Sequence, residues 1–560
     1  MSKSLIQSQR RLIIIKKQIF YIALLIFSAS IVFYPALTSF YYHPDEIMHI
    51  IIAKGSSFQE VWLRGIEEMH PPGSHFIRHL VLSLDDSLIT NRLLSIIPAI
   101  ISVVLIYFIG TIIYNPSIGL LLATFQLFSP IAVTYSISIR NYALFVLFLY
   151  SSVLFLVLYF KNRDKKYLLL YAFFIFLACF THFSGFIVLA ASGSTLVLLF
   201  TLEKRFDLLR ICILIHLPHL LIAILFYQAY FSLGSVGAGW REFLLTNPVL
   251  PTFRNSDFPL HYRILHLFYG FFVKDPIIAL MLTFFSIYGI CICWLKNKAL
   301  AILIFFLFLI QITLSIFEVY PISGNRYNYH LFLFVTITLG FFVIRFQELF
   351  KKYLSYKFFE ALLILVIVVL TFYFHYEQPH LKNNYELPLT KNTYSSGIKY
   401  LQSSVKENEI VITNKIGGLY LNFDKYHGNV MYQHKPISNI HFKKISVWYQ
   451  AQRYLWEYQT PQNFEGFLTD LSQKLPNNSA KKVWFLTIGL SDFALNTIYY
   501  CDSMKAFIKD EFFEDGFLIF SIRKDKLLPL NSDNKEQLKK CWGSSKVPGN
   551  AYLLRAPLPV

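Results

Sequence analysis

Two adjacent carboxylates stand where a long apolar run gives way to polar chain, in Tyr42-His43-Pro44-Asp45-Glu46. A carboxylate at an apolar surface can remove the proton of a hydroxyl group and so turn it into a nucleophile. The dipeptide is also common as a solvated pair in a loop. From these two residues alone, general-base chemistry is a hypothesis and the loop pair is the simpler interpretation.

Other polar residues with suitable chemistry border apolar runs further along the chain. These are His70 before Pro71-Pro72-Gly73, Arg140 and Tyr142 between two runs, His182 after Thr181, and Tyr320 and Arg326 in Tyr320-Pro321-Ile-Ser-Gly324-Asn325-Arg326. Two guanidinium groups near a lipid surface can hold a phosphate, because each offers a planar fork of donors. Taken singly, Arg140 is explained equally well as a snorkelling arginine, and packing is the simpler interpretation of His182.

The composition is that of a membrane protein. Of the 560 residues 55% are hydrophobic and only 15% are charged, and 56 Phe and 36 Tyr suit helices that face lipid. The net charge of +18 has to be sorted by side of the membrane before it indicates a partner. Since no basic stripe is interleaved with stacking aromatic residues, nucleic acid is not an expected partner.

The apolar runs predict a membrane all-α fold with about eleven transmembrane helices. The runs cover residues 19–40, 88–113, 118–135, 142–160, 167–180, 183–202, 208–231, 273–295, 299–317, 329–344 and 358–374. With the N-terminus inside, the inner turns collect Lys161, Lys165, Lys166, Lys204, Arg205, Lys296, Lys298, Lys351 and Lys352. This bias follows the positive-inside rule and puts the candidate site residues at the outer face.

The membrane pattern ends near residue 376, which predicts a transmembrane domain over 1–376 and a soluble, non-cytoplasmic C-terminal domain over 377–560. Strand-like runs at residues 409–413, 483–487 and 517–522 indicate that this second domain is α/β. Cys501 and Cys541 are its two thiols and are disulfide candidates in an oxidising compartment, with two free thiols as the alternative. Alkylation of the unreduced, denatured protein distinguishes the two.

The motifs, taken in order, resemble those of glycosyltransferases with a GT-C fold that use polyprenyl-phosphate sugars, the protein O-mannosyltransferases and the lipid A aminoarabinose transferase. The matching elements are Asp45-Glu46, His70-Pro71-Pro72 with Gly73 departing from the pattern, Asn91-Arg92-Leu93-Leu94-Ser95, Ser129-Pro130, Arg140-Asn141-Tyr142, Thr181-His182, and Tyr320 to Arg326. Each is weak alone, but together they cover residues 41–329 in order. The tail carries no motif of this kind.

The resemblance implies inverting transfer of a sugar from a polyprenyl phosphate to an acceptor hydroxyl. Asp45 would be the catalytic base with Glu46 beside it, and Arg140 and Arg326 would bind the donor phosphate. His70, His182, Tyr142 and Tyr320 would bind or orient the acceptor. A divalent metal is neither required nor excluded. The implied location is a bacterial inner membrane, with the active site and the tail on the periplasmic side.

Two alternatives from other classes stay open. A transporter or flippase of a lipid-linked glycan would carry buried charges halfway along its helices. A membrane scaffold whose tail binds a partner would lose no biochemical activity with Asp45 or Arg326. The sugar and the acceptor, whether protein, lipid or envelope glycan, are not encoded in any pattern that can be read here.

We expect reporter fusions at Lys165 and Lys382 to report opposite compartments, since the charge bias puts the first in an inner turn and the second in the outer tail. Enzymatic reporters active on one side of the membrane only provide the measurement. The same compartment for both fusions would contradict a site shared by the outer loops.

Overall fold

The apolar runs form helices because a bilayer offers backbone amides no water partners, and a helix pairs them within one segment. This computed structural model describes residues 3–38, 44–67, 71–85, 87–232, 260–272, 275–317, 319–322, 326–350, 356–377, 400, 403–404, 410–413, 482–488, 508–514 and 517–523. The protein is mostly helical over these ranges.

The helices, in chain order, are α1 (Lys3–Thr38), α2 (Pro44–Ala53), α3 (Phe58–Glu67), α4 (Gly73–Leu82), α5 (Leu88–Ile113), α6 (Pro116–Phe128), α7 (Pro130–Ile137), α8 (Tyr142–Asn162), α9 (Lys165–Thr181), α10 (Ser184–Leu202), α11 (Phe206–Ser232), α12 (Leu260–Phe271), α13 (Pro276–Lys296), α14 (Lys298–Ile316), α15 (Tyr329–Leu349) and α16 (Tyr356–Glu377). A short 3-10 helix, Arg326–Asn328, leads directly into α15.

Nine helices in the described part of the chain are long and apolar enough to cross a membrane, or ten if one bent pair counts as a span. The remaining predicted segment, residues 167–180, forms α9, which has 17 residues. The sequence did not predict α2 and α3 in the first polar loop, because helices of ten residues carry too few turns for a clear period.

The bent pair is α6 and α7, whose axes differ by 65°. The break falls at Ser129-Pro130, because proline has no amide hydrogen to continue the ladder of α6. The Ser129 hydroxyl instead accepts a hydrogen bond from the Ala132 amide and starts α7. The bend sends the chain towards Arg140 and the start of α8.

The centre of the bundle lies at α15 and α8. Buried residues make up 72% of the apolar window of α15 and 67% of that of α8, but only 17% of that of α11. Gly289 of α13 permits close packing against α15, since a Cβ atom there would come within 2.0 Å of the Thr338 carbonyl oxygen. The central position of α8 and α15 brings their first turns close to the helix ends around them.

Basic residues gather at the ends of the helices opposite to Arg140, Tyr142 and His182. Arg163 pairs with Glu203 at 2.7 Å between the α8–α9 and α10–α11 turns. Lys17 of α1 pairs with the buried Glu360 of α16 at 2.5 Å. This distribution agrees with the predicted charge bias.

The chain divides into two compact units, residues 1–39 with 49–384, and residues 40–48 with 385–560. The second unit has a four-stranded sheet of β1 (Ile410–Thr413), β2 (Lys482–Ile488), β3 (Ile508–Glu514) and β4 (Phe517–Arg523) in the order β1-β2-β4-β3. The strand β1 is parallel to β2, and the other pairs are antiparallel. Three strands form where the sequence predicts them. The division at residue 376 and the soluble α/β class of the tail stay predictions.

Candidate functional site

Four residues chosen from the sequence come together with a fifth where helices begin or end. We call Arg140, Tyr142, His182, Ser184 and Tyr320 the helix-end cluster. The Arg140 guanidinium carbon lies 5.7 Å from the centre of the Tyr142 ring. The Tyr142 and His182 ring centres are 5.4 Å apart, and the Ser184 and Tyr320 hydroxyl oxygens are 2.8 Å apart. The cluster draws on turns that are up to 180 positions apart in sequence (320 − 140).

The first link in this arrangement is Asn141, which precedes α8. Its buried side-chain amide donates to the Thr181 carbonyl oxygen at 3.2 Å, at the end of α9. That carbonyl belongs to the last turn of a helix, where no backbone partner is left to it. The bond therefore ties the start of α8 to the α9–α10 turn and brings Tyr142 close to His182.

The His182 side chain is buried between two rings and accepts a hydrogen bond from a backbone amide. Its ring packs against Phe145 as well as Tyr142, with centres 4.9 Å apart for the Phe145 pair. The Ser184 amide donates to His182 Nδ1 at 3.1 Å. Because Nδ1 accepts, the neutral ring carries its hydrogen on Nε2, which can serve as a donor.

Ser184 connects the α10 start to the segment that carries Arg326. Its hydroxyl donates to the Tyr327 carbonyl oxygen at 3.3 Å and accepts from the Tyr320 hydroxyl. Arg326 is the first residue of the 3-10 helix next to Tyr327, so its backbone lies at the start of α15. The Arg326 side chain falls outside the described atoms. Sequence reasoning missed Ser184, although its place directly after Thr181-His182-Phe183 was a usable signal.

The predicted acids lie in the first turn of α2. Asp45 is the second residue of that helix, and its side chain is outside the described atoms. Glu46 follows and is fully buried. His70 is outside the described residues.

Two buried arginines were not predicted as site residues, although one of them, Arg92, belongs to the Asn91-Arg92 motif. The Arg78 guanidinium of α4 donates to the Asn91 carbonyl and side-chain oxygens at 3.3 and 3.2 Å. The Arg92 guanidinium of α5 donates to the Ile137 carbonyl oxygen at the end of α7, at 3.2 Å. Both side chains are at most 3% exposed. The Asn91-Arg92 motif thus joins α4, α5 and α7 near the turn that bears Arg140.

The glycine that departs from the His-Pro-Pro pattern has a steric reason. A Cβ atom on Gly73 would lie 2.5 Å from the Phe180 carbonyl oxygen, so α4 approaches the end of α9 more closely than any side chain would allow. Phe76 and Phe180 then pack with ring centres 6.0 Å apart. A second contact of α4 is the stacked pair His75 and His49, with ring centres 4.7 Å apart and both side chains buried.

The described residues show neither a metal-binding group nor a disulfide. The described ranges contain no group of three or more His, Cys, Asp or Glu residues that could hold a metal ion. The four described cysteines, Cys179, Cys212, Cys291 and Cys293, are free thiols. Cys501 and Cys541 lie outside the described residues, so their pairing stays a prediction.

Residues 69–230 match the family described as dolichyl-phosphate-mannose-protein mannosyltransferase. No curated protein matches the sequence. Two similar solved structures are ArnT from Cupriavidus metallidurans bound to undecaprenyl phosphate and the archaeal oligosaccharyltransferase AglB from Archaeoglobus fulgidus in complex with an inhibitory peptide and a dolichol-phosphate.

For ArnT the identity is 9% and the TM-score 0.49, over 90% of this chain and 98% of that one. For AglB the identity is 12% and the TM-score 0.47, over 92% of this chain and 75% of that one. The family match covers α4 to α10 and most of α11, and therefore holds Arg140, Tyr142 and His182. It confirms the resemblance predicted from the motifs and, with it, the prediction of a glycosyltransferase.

Proposed function

Because residues 69–230 match a mannosyltransferase family, we propose that this chain is an inverting glycosyltransferase that takes its sugar from a polyprenyl phosphate. The acceptor is a hydroxyl group on a protein, a lipid or an envelope glycan. The observation that carries the proposal is that this segment contributes four residues of the helix-end cluster. The fold brings three of them that the sequence predicts as site residues, Arg140, Tyr142 and His182, within ring-contact distance.

In the proposed reaction the acceptor oxygen attacks the anomeric carbon as the bond from that carbon to the phosphate oxygen breaks. The acceptor proton passes to the carboxylate of Asp45, and the configuration of the sugar inverts because attack and departure occur on opposite faces. The polyprenyl phosphate leaves with one more negative charge. Its charge is the one that a donor site has to stabilise.

Arg140 and Arg326 are the proposed ligands of that phosphate. Arg140 is half-buried and its guanidinium rests on the Tyr142 ring, which restricts the rotamers of a long side chain before any ligand binds. Arg326 stands at the start of α15, and a helix N-terminus favours an anion through its partial positive charge. Preorganised donors of this kind stabilise developing charge without reorganisation.

The remaining predicted residues have proposed roles in orientation. His182 can donate from Nε2 to a sugar or phosphate oxygen, since its Nδ1 is held by the Ser184 amide. Tyr142 fixes the His182 ring from one side, and Tyr320 holds Ser184. Glu46 is adjacent to the proposed base Asp45, and His70 is proposed to bind the acceptor. No step is assigned to a metal ion.

The protein is a multi-pass membrane protein, and a lipid donor can enter its site from the bilayer. We place the site on the periplasmic face of a bacterial inner membrane on the strength of the charge bias. The buried charges Arg92 and Glu360 of the described spanning helices lie near helix ends, which does not favour a translocation path. Arg92 and Glu360 are each the fifth residue of their helix, whereas a path would need charges halfway along.

The test is transfer by the purified protein in lipid nanodiscs. We expect a labelled sugar to move from polyprenyl phosphate to one acceptor in a panel of envelope glycolipids and membrane proteins, which gains the mass of one sugar. The alternative of a flippase is measured in parallel in proteoliposomes. Movement of a lipid-linked glycan across the bilayer without consumption of the polyprenyl-phosphate sugar would replace the proposal by that alternative.

A further inference from the structure

One buried carbonyl joins both ends of the segment that carries Arg326. The Pro321 carbonyl oxygen accepts a hydrogen bond from Gln311 Nε2 at 2.8 Å and another from Asn328 Nδ2 at 3.0 Å. Gln311 lies in α14, and Asn328 ends the 3-10 helix that begins with Arg326. The side chains of Gln311 and Asn328 are completely buried. The carbonyl therefore anchors this segment to α14.

The orientation of the Gln311 amide is fixed from its other end. His330 Nε2 lies 3.2 Å from Gln311 Oε1, and His330 is also completely buried. Because Gln311 Nε2 donates to Pro321, its Oε1 must accept, and His330 must carry its hydrogen on Nε2. A flipped amide would set two acceptors against each other at Pro321. Inside a membrane protein that arrangement has no water to relieve it.

A second bridge joins the same two ends. Ser184 of α10 accepts from the Tyr320 hydroxyl and donates to the Tyr327 carbonyl oxygen, as described above. Tyr320 precedes Pro321, and Tyr327 precedes Asn328. Two helices, α10 and α14, therefore hold residues 320–321 at a set distance from residues 327–328. Arg326 directly precedes Tyr327, so its backbone is held in place together with residues 327–328.

We propose that Gln311 is a positioning residue for the donor phosphate: through the Pro321 carbonyl it sets the place of Arg326 at the start of α15. The inference rests on the proposed function. A guanidinium that binds a phosphate has to be held within about 0.5 Å of its productive place. Sequence patterning gives Gln311 no role, since it stands alone in an apolar helix.

Gln126 provides a matched control. It is another buried glutamine of the helical bundle, and its amide donates to the Tyr329 hydroxyl at 2.9 Å and accepts from the Tyr150 hydroxyl at 2.7 Å. Met has a similar length and no amide, so Gln311→Met and Gln126→Met each remove two buried hydrogen bonds. They should lower the melting temperature by similar amounts. Only the first leaves the Pro321 carbonyl without its helix partner.

The experiment measures kinetics and lipid binding of both variants in nanodiscs. We expect Gln311→Met to raise KM for the polyprenyl-phosphate sugar by about 10- to 100-fold, because a misplacement of about 1 Å can cost a factor of that order. Its affinity for polyprenyl phosphate alone should fall by the same factor, while KM for the acceptor stays as in the wild type. Gln126→Met should keep the donor KM of the wild type. His330→Gln keeps a hydrogen-bond donor towards Gln311, whereas His330→Phe does not. The affinity for the polyprenyl-phosphate sugar should therefore fall less in His330→Gln than in His330→Phe.

The outcomes separate the two proposals. A wild type that neither binds polyprenyl phosphate nor transfers a sugar overturns the proposed function and the positioning role together. If the wild type transfers and the two methionine variants share one donor KM, only the positioning role is wrong. Should Gln311→Met fail to fold, the His330 pair decides, because equal donor KM values for His330→Gln and His330→Phe would also contradict the role.

Discussion

Asp45→Asn should lower sugar transfer by about 10²- to 10⁴-fold and leave folding and membrane insertion intact, which is the usual worth of a general base. Asn is nearly isosteric with Asp but cannot take the proton of the acceptor hydroxyl. Asp45 is the second residue of α2, so the substitution falls in the first turn of that helix. The measurement is the turnover of purified protein with saturating donor lipid.

The controls for Asp45 come from the same polar loop. Glu46→Gln should cost less than Asp45→Asn, and Asp85→Asn should have little effect on turnover. Asp85 is exposed, and hydrogen bonds from the Thr90 hydroxyl and from Ser87 hold the pKa of its carboxyl below the usual value. It is therefore an ionised acid without a proposed role. A dead Glu46→Gln beside an active Asp45→Asn would exchange the two roles, and two active variants would remove the proposed base.

Arg326→Ala should lower kcat/KM for the donor by roughly 10²-fold, since one preorganised contact to developing charge is worth about 3 kcal/mol. The kcat/KM of Arg326→Lys should lie between those of Arg326→Ala and the wild type, because Lys keeps the charge and loses the planar fork of donors. The readout is kcat/KM for the polyprenyl-phosphate sugar together with binding of polyprenyl phosphate alone.

Arg163→Ala is the matched control for Arg326. Arg163 follows α8 at the opposite end of the bundle, and its side chain is 46% exposed and paired with Glu203. Exposed pairs of this kind contribute at most about 1 kcal/mol, so transfer should stay close to that of the wild type. Equal loss of activity in Arg163→Ala and Arg326→Ala would indicate damage to the membrane protein as a whole. Near-normal turnover in both Arg326 variants would exclude this residue from the donor site.

The segments that cross the membrane could be located from the sequence within a few residues, because a span demands an apolar run and its ends are marked by charge. The predicted run 142–160 became α8 and the run 329–344 became α15. The break at Ser129-Pro130 could also be predicted from the sequence, because proline has no amide hydrogen with which to continue a helix. Strands β1, β2 and β4 were visible as short apolar runs.

The candidate site could be predicted only in part from the sequence. Arg140, Tyr142, His182 and Tyr320 could be chosen from the motif order, and the structure joins them. Ser184 could not be predicted as the link, because its partner Tyr320 is 136 residues away in the chain. The role of Gly73 could not be predicted either, because a departure from a motif does not show that the Phe180 carbonyl packs against this position.

The sequence alone determined that this chain is a membrane protein, which segments form its helices and which residue types lie at their ends. Each of these follows from local composition and from the absence of water in a bilayer. Only the tertiary structure decided which ends meet. The bonds from Asn141 to Thr181 and from Gln311 to Pro321 each satisfy a carbonyl at or near a helix end, and such a carbonyl can be paired by whichever side chain the packing brings near. That choice depends on helix packing in three dimensions, which no local pattern encodes.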